Sequence, residues 1–265
     1  MTARKLPLLF LLLIAPLSSL ARGQYPPEIP NHDAIMDTEG RSQFGPPRKP
    51  ELSKEAKAAL APPDDLKLAY KDFLKQKNTG LIRLFPRKEK KERMMVSAGN
   101  PRAFIPFRDG GASYSFSNHK YGDDFVVAEL RLDLDIYKYP PGKAFWVAGP
   151  GANIGFITKL GDVALESVSV DRKEAKFLVE LVSPNIEPIA RKYQNMSSSG
   201  FDLDDVFYRN CVPAENNTTY LQRTIHYGSA DLLVAFRTVR EEPDGSFVIL
   251  WKILKKNPIT FLKKQ

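Results

Sequence analysis

Residues 218–255 read TTYLQRTIHYGSADLLVAFRTVREEPDGSFVILWKILK and decide the fold. The stretch contains three runs rich in β-branched, aromatic and other apolar residues, and each run is bounded by turn-forming residues. This pattern predicts three antiparallel strands over Thr218–Tyr227, Asp231–Arg240 and Ser246–Lys255, with Glu242–Gly245 as the loop that joins the last two.

The second and third of these strands are apolar on both faces. Leu232–Phe236 reads LLVAF and Phe247–Trp251 reads FVILW, and neither run contains a charged residue. A strand with one wet face alternates apolar and polar residues, whereas a strand covered on both faces carries a continuous apolar run. We therefore predict that these two strands are central in their sheet and covered on both sides.

Upstream, Phe125–Tyr137 alternates between two residue classes. The apolar class is predicted to face the core, since side chains two residues apart lie on the same face of a strand; it comprises Val126, Ala128, Leu130, Leu132, Leu134 and Ile136. The class predicted to face solvent comprises Val127, Glu129, Arg131, Asp133 and Asp135. The segment is therefore predicted to be a strand with one wet face.

Further strands are predicted over Ala144–Ala148, Asn153–Leu160 and Val163–Val170. Gly161 and Asp162 separate the last two, and glycine reaches the positive φ that a two-residue hairpin turn needs. Downstream, the pattern of Ala175–Val182 fits a strand or a helix equally, so both alternatives stay open, and Glu187–Tyr193 is predicted to be a short helix.

Two helices are predicted before the strands begin. Ser53 is a suitable N-cap for Lys54–Ala61, which is a run of good helix formers. A second helix begins at Asp64 and ends at Asn78–Gly80, with one apolar face formed by Leu66, Ala69, Tyr70, Phe73 and Leu74. The predicted fold is thus α+β and mostly β, with antiparallel sheets in a sandwich or open barrel and one or two N-terminal helices packed on them.

The N-terminus has the three-part pattern of an export signal. Arg4 and Lys5 precede an apolar run over Leu6–Leu17, and small residues follow, which predicts cleavage after Ala21 or Gly23. The apolar run is shorter than the roughly 20 residues that span a bilayer. We therefore expect a secreted or periplasmic protein with no transmembrane segment after processing.

The sequence divides into four regions. Residues 1–23 form the signal peptide, and 24–52 form a proline-rich leader that we predict to be disordered. Residues 53–79 form the helical segment, and 80–265 form the β-rich domain.

Composition limits the chemistry of this domain. A single cysteine, Cys211, excludes an internal disulfide, so burial of apolar residues must hold the fold together. The chain has a net charge of +8, but the bases of Arg87–Arg93 are interleaved with acids. No recognisable nucleic-acid-binding motif accompanies them. We therefore expect no nucleic-acid partner.

Three glycines, Gly149, Gly151 and Gly155, imitate the spacing of a dinucleotide-binding loop. Such a loop must open a helix, so that backbone N–H groups face a phosphate. Here a predicted strand over Asn153–Leu160 and a hairpin turn follow. The glycines are therefore predicted to form a β-loop, and we expect no cofactor.

An acidic group at Asp202, Asp204 and Asp205, with Asn210 nearby, offers oxygen ligands of the kind that calcium prefers. Counted from Asp202, the sixth position of an EF-hand loop would be Phe207 rather than glycine. We therefore predict solvated acids and no metal site.

Cys211 and His226 are the residue types of a thiol nucleophile and its base. The sequence around Cys211 carries no family signature of a catalytic cysteine. A lone cysteine is more often a small buried hydrophobe, so no catalytic residue is assigned.

Two aromatic residues are the candidate ligand-binding residues. Tyr114 and Phe116 share one face of a predicted strand, so their rings are positioned to act together. Stacking on a sugar ring or an apolar ligand requires such rings to be exposed on a face or in a cleft.

Four segments carry a resemblance to known proteins. They are Thr79-Gly80-Leu81-Ile82-Arg83-Leu84, Gly110-Gly111-Ala112-Ser113-Tyr114-Ser115-Phe116, Leu160-Gly161-Asp162-Val163, and Asp244-Gly245-Ser246 to Trp251-Lys252. With them, the chain resembles a group of exported bacterial proteins whose function is not established. The resemblance implies export and a shared β domain, and it carries over no site residue.

The sequence as a whole favours a non-catalytic binding or envelope-associated module with an envelope polysaccharide or protein as its partner. One alternative is a secreted hydrolase that divides acid and base roles among carboxylates such as Asp123, Asp124, Glu129 and Asp133. A second alternative is a purely structural envelope component.

Overall fold

A computed structural model describes residues 54–88, 113–121, 125–130, 142–147 and 152–263. These residues all belong to one compact unit, which comprises 47–265. The predicted signal peptide and leader lie outside the described residues.

The described part of the chain contains five α-helices and two 3-10 turns. The helices are α1 Lys54–Ala59, α2 Asp64–Ala69, α3 Lys71–Leu74, α4 Lys176–Glu180 and α5 Glu187–Ser199. The 3-10 turns are Leu165–Ser167 and Lys173–Ala175. None of these helices combines the length and apolar character needed to cross a bilayer.

Thirteen strands are described. They are β1 Thr79–Leu84, β2 Arg87–Lys88, β3 Ser113–Ser115, β4 Lys120–Tyr121, β5 Phe125–Leu130, β6 Gly142–Val147, β7 Ile154–Gly161, β8 Phe201–Leu203, β9 Val206–Tyr208, β10 Cys211–Pro213, β11 Thr219–His226, β12 Ala230–Glu241 and β13 Phe247–Lys256.

The first sheet has five antiparallel strands in the order β1-β13-β12-β11-β7. The strands predicted from residues 218–255 are confirmed as β11, β12 and β13, and β12 lies at the centre of the sheet. The continuous apolar runs are buried on both faces, as the sequence predicts.

The second sheet has the order β10-β6-β5-β3-β4, and β2 pairs with β5 in parallel. Strands β8 and β9 form a separate two-stranded hairpin. The sheets are open, with distinct edge strands.

The first sheet is covered on both faces, so the fold has three layers. One face packs on the second sheet through a core between the sheets, to which Phe125, Phe145 and Phe236 contribute. The other face packs on α4, α5 and the 3-10 turns through a helix-side core that contains Phe156 and Leu178. The predicted α+β, mostly β class is confirmed.

The assignment of faces on β5 is wrong where the structure describes both. Phe125 and Val127 are fully buried in the core between the sheets, whereas Val126 and Ala128 are only partly buried. The prediction rested on the charged residues Glu129, Arg131, Asp133 and Asp135, whose side chains lie outside the described residues. Over Phe125–Ala128 the face that carries the phenylalanine ring fills the core, because burying the larger apolar surface gains more free energy.

The prediction of a strand over Val163–Val170 is also wrong. Gly161 has the expected positive φ of 80°, but the chain then leaves the sheet and forms the 3-10 turn at Leu165. Leu165 and Val168 are buried in the helix-side core rather than paired in a ladder. β11 takes the position beside β7 instead, so no hairpin forms at Gly161 and Asp162.

The predicted helices are present with changed bounds. The second N-terminal helix is split into α2 and α3 at Tyr70, and its apolar face packs on the helix-side core through Phe73. The open choice for Ala175–Val182 resolves to the helix α4, and the helix from Glu187 extends to Ser199.

Gly155 lies on β7, close to the backbone of β6 in the second sheet. A Cβ at this position would lie 2.4 Å from the backbone oxygen of Val147 on β6 and 2.9 Å from its carbonyl carbon. The glycine therefore permits a contact between backbones, and it lies on the strand predicted over Asn153–Leu160. The other two glycines of the predicted β-loop, Gly149 and Gly151, lie outside the described residues.

Replacing Gly155 by alanine is expected to lower the free energy of unfolding by about 1 to 3 kcal/mol, because the added methyl group overpacks the contact between the sheets. Urea denaturation measures the change. Adding Val147→Ala should not restore stability, since the closest atom belongs to the backbone of Val147. Wild-type stability in Gly155→Ala would contradict the close approach.

Candidate binding cleft

The chain crosses from the edge of the first sheet to the edge of the second at Arg209 and Asn210. The backbone N–H of Arg209 donates to Ile157 O on β7 at 3.0 Å, and Ile157 N–H donates to Arg209 O at 2.6 Å. One residue later, Asn210 O accepts a hydrogen bond from Val147 N–H on β6 at 2.9 Å. These bonds attach the crossing segment to β7 on one side and to β6 on the other.

Strands β9 and β10 flank this crossing in the chain and pack into different cores. Val206 and Tyr208 of β9 pack into the helix-side core, whereas Val212 of β10 packs into the core between the sheets. The space between them is a cleft of about 700 Å³ lined by residues of β6, β7, β9 and β10, together with Lys173 and Glu174. We call it the corner cleft.

Charged side chains of both signs line the corner cleft. They are Lys143, Lys159, Lys173, Arg209, Glu174, Asp205 and Glu215. Lys159 pairs with Glu215 at 2.5 Å and Lys173 pairs with Asp205 at 3.3 Å, and all four side chains are well exposed. Exposed ion pairs contribute little stability, so a ligand can exchange with these partners at low cost.

Two other charged groups are held more firmly. The Lys143 ammonium bonds to Glu241 and to Gly245 O. Glu174 accepts two hydrogen bonds from Arg172, at 2.9 and 3.1 Å, and these bonds hold the pKa of Glu174 below its usual range. Glu174 therefore stays ionised at neutral pH and is unsuited to act as a general acid.

Cys211 lies on β10 at the buried base of the corner cleft and forms no disulfide. Burial raises the pKa of its thiol to about 12. Because the thiolate is the reactive form, we expect this cysteine to react slowly at neutral pH. The geometry agrees with a buried hydrophobe and not with a nucleophile.

Cys211 is expected to react with Ellman's reagent at pH 8 at least ~100-fold more slowly in the folded protein than in urea, where the thiol pKa returns to about 8.5. The absorbance of the released thiolate measures both rates, and the unfolded chain is the internal control. Rapid stoichiometric labelling of the folded protein would show that the thiol is accessible and activated.

The acidic group forms the turn of the β8–β9 hairpin. Asp204 and Asp205 occupy the two turn positions with φ of 51° and 60°, while Asn210 lies beyond the far end of β9 and is buried. Within the described ranges, no group of three His, Cys, Asp or Glu side chains is arranged to hold a metal ion.

The predicted ligand-binding pair lies away from the corner cleft. Tyr114 and Phe116 do lie together, with ring centroids 5.4 Å apart, and both pack on Trp251. Only 5% and 2% of their surfaces are exposed, so the rings fill the core between the sheets. Burial also raises the pKa of Tyr114. Contact of this pair with a ligand stays a prediction.

The structure does not describe the side chains of the acids named for the hydrolase alternative. Asp123, Asp124 and Asp133 lie outside the described residues, and only the backbone of Glu129 is described, on β5. The alternative stays a prediction.

The residues that line the corner cleft, such as Lys143, Lys159 and Phe207, could not be recognised as site residues from the sequence. They come from strands far apart in the chain, and each is an ordinary residue of its own strand. The available signal was the Asp204-Asp205 pair before Val206, which is typical of a two-residue hairpin turn.

No family model, curated protein or solved structure matches the chain.

Proposed function

We propose that the protein is an exported, non-catalytic binding module whose ligand occupies the corner cleft. The observation that carries the proposal is the cleft itself, because its volume of about 700 Å³ falls in the range of ligand sites. The N-terminal pattern of charge followed by an apolar run supports export. The protonated thiol of Cys211 and the ionised Glu174 favour binding over catalysis.

The lining indicates the character of the ligand. Phe207 offers an apolar surface that is 45% exposed, and the Lys159–Glu215 and Lys173–Asp205 pairs offer charges of both signs at the mouth. A ligand with apolar and charged groups in alternation suits such a surface. An envelope protein or an acidic polysaccharide meets this description.

A thermal-shift screen of residues 24–265 against oligosaccharides, peptides, phospholipids and divalent ions tests the proposal. A ligand at 100 times its dissociation constant adds about 2.7 kcal/mol of stability. We expect at least one hit whose shift is lost in Lys159→Glu and kept in Lys192→Glu, which reverses charge on the exposed surface of α5 away from the cleft.

Two results would contradict the proposal. One is a screen without any hit. The other is a hit that Lys159→Glu and Phe207→Ala both leave unchanged, because the binding site would then lie elsewhere.

A further inference from the structure

We propose that the ligand of the corner cleft is an extended polypeptide segment, which adds as a strand between β7 and β9 and bonds to the backbone of Lys159 and Phe207. This inference rests on the proposed function and specifies its ligand class. It follows from the directions of the backbone groups on the two strands.

On β7, the backbone groups of Lys159 point away from β11. In an antiparallel ladder, the N–H and C=O of one residue point to the same side, and the side alternates along the strand. Ile157 directs both groups outward to Arg209. The register with β11 is continuous from Ile157 to Lys159, so Lys159 directs its N–H and C=O outward as well.

On β9, the backbone groups of Phe207 point away from β8. Leu203 and Val206 flank the two-residue turn, so they form the hydrogen-bonded pair of the hairpin. The next pair, Asp202 and Phe207, is then not hydrogen-bonded, and Phe207 directs its N–H and C=O outward. Arg209, two residues on, points the same way and bonds to Ile157.

Lys159 and Phe207 would be the next pair of one continuous ladder. Ile157 faces Arg209 in an antiparallel bridge, and one step further along each strand leads to Lys159 and Phe207. Among the described residues, however, the bridge at Ile157 and Arg209 is not continued to Lys159 and Phe207, and both of these residues line the corner cleft instead. Each strand thus presents one outward donor and one outward acceptor to the cleft.

The other edge strand of the first sheet, β1, is covered by a side chain. On the edge strand β1, Arg83 N–H donates to the hydroxyl of Tyr121 at 3.3 Å, and that hydroxyl donates to Leu60 O at 2.9 Å. A side chain therefore covers this edge, which is a common protection against pairing with another chain. The edge at Lys159 has no such cover among the residues that the structure describes.

A polypeptide is the ligand that matches these groups, because an extended backbone carries N–H and C=O groups at the spacing of a strand edge. Its side chains would alternate between the two walls. Acidic side chains can replace Glu215 beside Lys159 or Asp205 beside Lys173. An apolar side chain can pack on the exposed ring of Phe207. We therefore expect a segment in which acidic and apolar residues alternate.

Hydrogen exchange tests the open ladder in the free protein. The amides of Lys159 and Phe207 should exchange at least ~10-fold faster than those of Ile157 and Arg209, because only the second pair is hydrogen-bonded across the strands. NMR spectroscopy of residues 24–265 resolves the four amides. Equal protection of all four would show that the strands are already paired and would overturn the proposal.

The ligand class is tested with heptapeptides selected from a random phage-displayed library against the same protein. The tightest binder is synthesised together with copies that carry one N-methyl group at successive positions. Methylation at alternate positions should weaken binding about tenfold, because each such methyl removes a strand hydrogen bond, and the intervening positions should change it less than about threefold. Binding should also slow exchange at Lys159 and Phe207.

The outcomes separate this inference from the proposed function. Peptide binding without the alternating effect of N-methylation, or without protection of Lys159 and Phe207, would overturn strand addition. An oligosaccharide that binds in the corner cleft, when no peptide does, would overturn the peptide ligand and leave the binding function intact. Failure of every ligand class would overturn both.

Discussion

Replacing Asp231 by asparagine is expected to lower the free energy of unfolding by about 3 to 5 kcal/mol, because it leaves the charge of Arg223 buried without a counter-ion. Arg223 donates to the two carboxylate oxygens of Asp231 at 2.9 and 2.8 Å. Only 2% of the Arg223 side chain and 1% of the Asp231 side chain are exposed. Urea denaturation of residues 24–265 at neutral pH measures the loss.

The pair matters because it joins three parts of the fold. Arg223 on β11 also donates to the carbonyl oxygens of Leu178 and Leu181, each at 2.6 Å, at the end of α4. Asp231 accepts a further hydrogen bond, at 3.0 Å, from the side chain of Asn257, which follows β13. Loss of the carboxylate charge therefore weakens the attachment of the helical layer to the first sheet.

The matched control is the same change at an exposed ion pair. Asp162 binds Arg237 at 2.7 Å, but its side chain is 83% exposed, so Asp162→Asn should cost less than about 1 kcal/mol. The double variant Arg223→Met with Asp231→Leu should be more stable than Asp231→Asn, because it leaves no unpaired charge in the core. Equal losses for Asp231→Asn and Asp162→Asn would contradict the burial of the pair.

The central strands could be predicted from the sequence because their signal is local. Leu232–Phe236 and Phe247–Trp251 are continuous apolar runs, and only a strand covered on both faces accommodates such a run without exposing it. The turns between the strands are equally local, since Glu242–Gly245 contains proline and glycine. These elements follow from neighbours in the chain alone.

The two wrong predictions concern segments whose structure depends on residues far away in the chain. Val163–Val170 has the composition of a strand, but the edge of β7 is taken by β11, which is some 60 residues further along the chain. Likewise, Val127 is buried because the second sheet faces the first at that point. Neither contact leaves a pattern in the segment itself.

The corner cleft could not be predicted for the same reason. Ile157 and Arg209 pair in a single isolated bridge, and beyond it β9 packs into the helix-side core through Val206 and Tyr208, which is a contact between residues far apart in the chain. The sequence instead predicted Tyr114 and Phe116 as the ligand-binding residues, and both belong to the core between the sheets. Aromatic residues signal burial more strongly than they signal a site.

Replacing Phe236 by alanine is expected to cost about 3 to 5 kcal/mol of unfolding free energy, because it removes the ring at the centre of the contact between the two sheets. Phe236 on β12 is fully buried. Its ring centroid lies 5.0 Å from that of Tyr220 on the same sheet, and 4.8 and 5.1 Å from those of Phe125 and Phe145 on the second sheet. Urea denaturation measures the change.

Phe261 provides the control, since its side chain is 69% exposed and Phe261→Ala should change stability by less than about 0.5 kcal/mol. Phe236→Leu should fall between the two, because leucine refills part of the cavity and loses the aromatic contacts. If the sheets pack as described, Phe125→Ala combined with Phe236→Ala should cost less than the two single losses added together, because the two rings share one cavity. Strict additivity would place the rings in separate cores and contradict the sandwich.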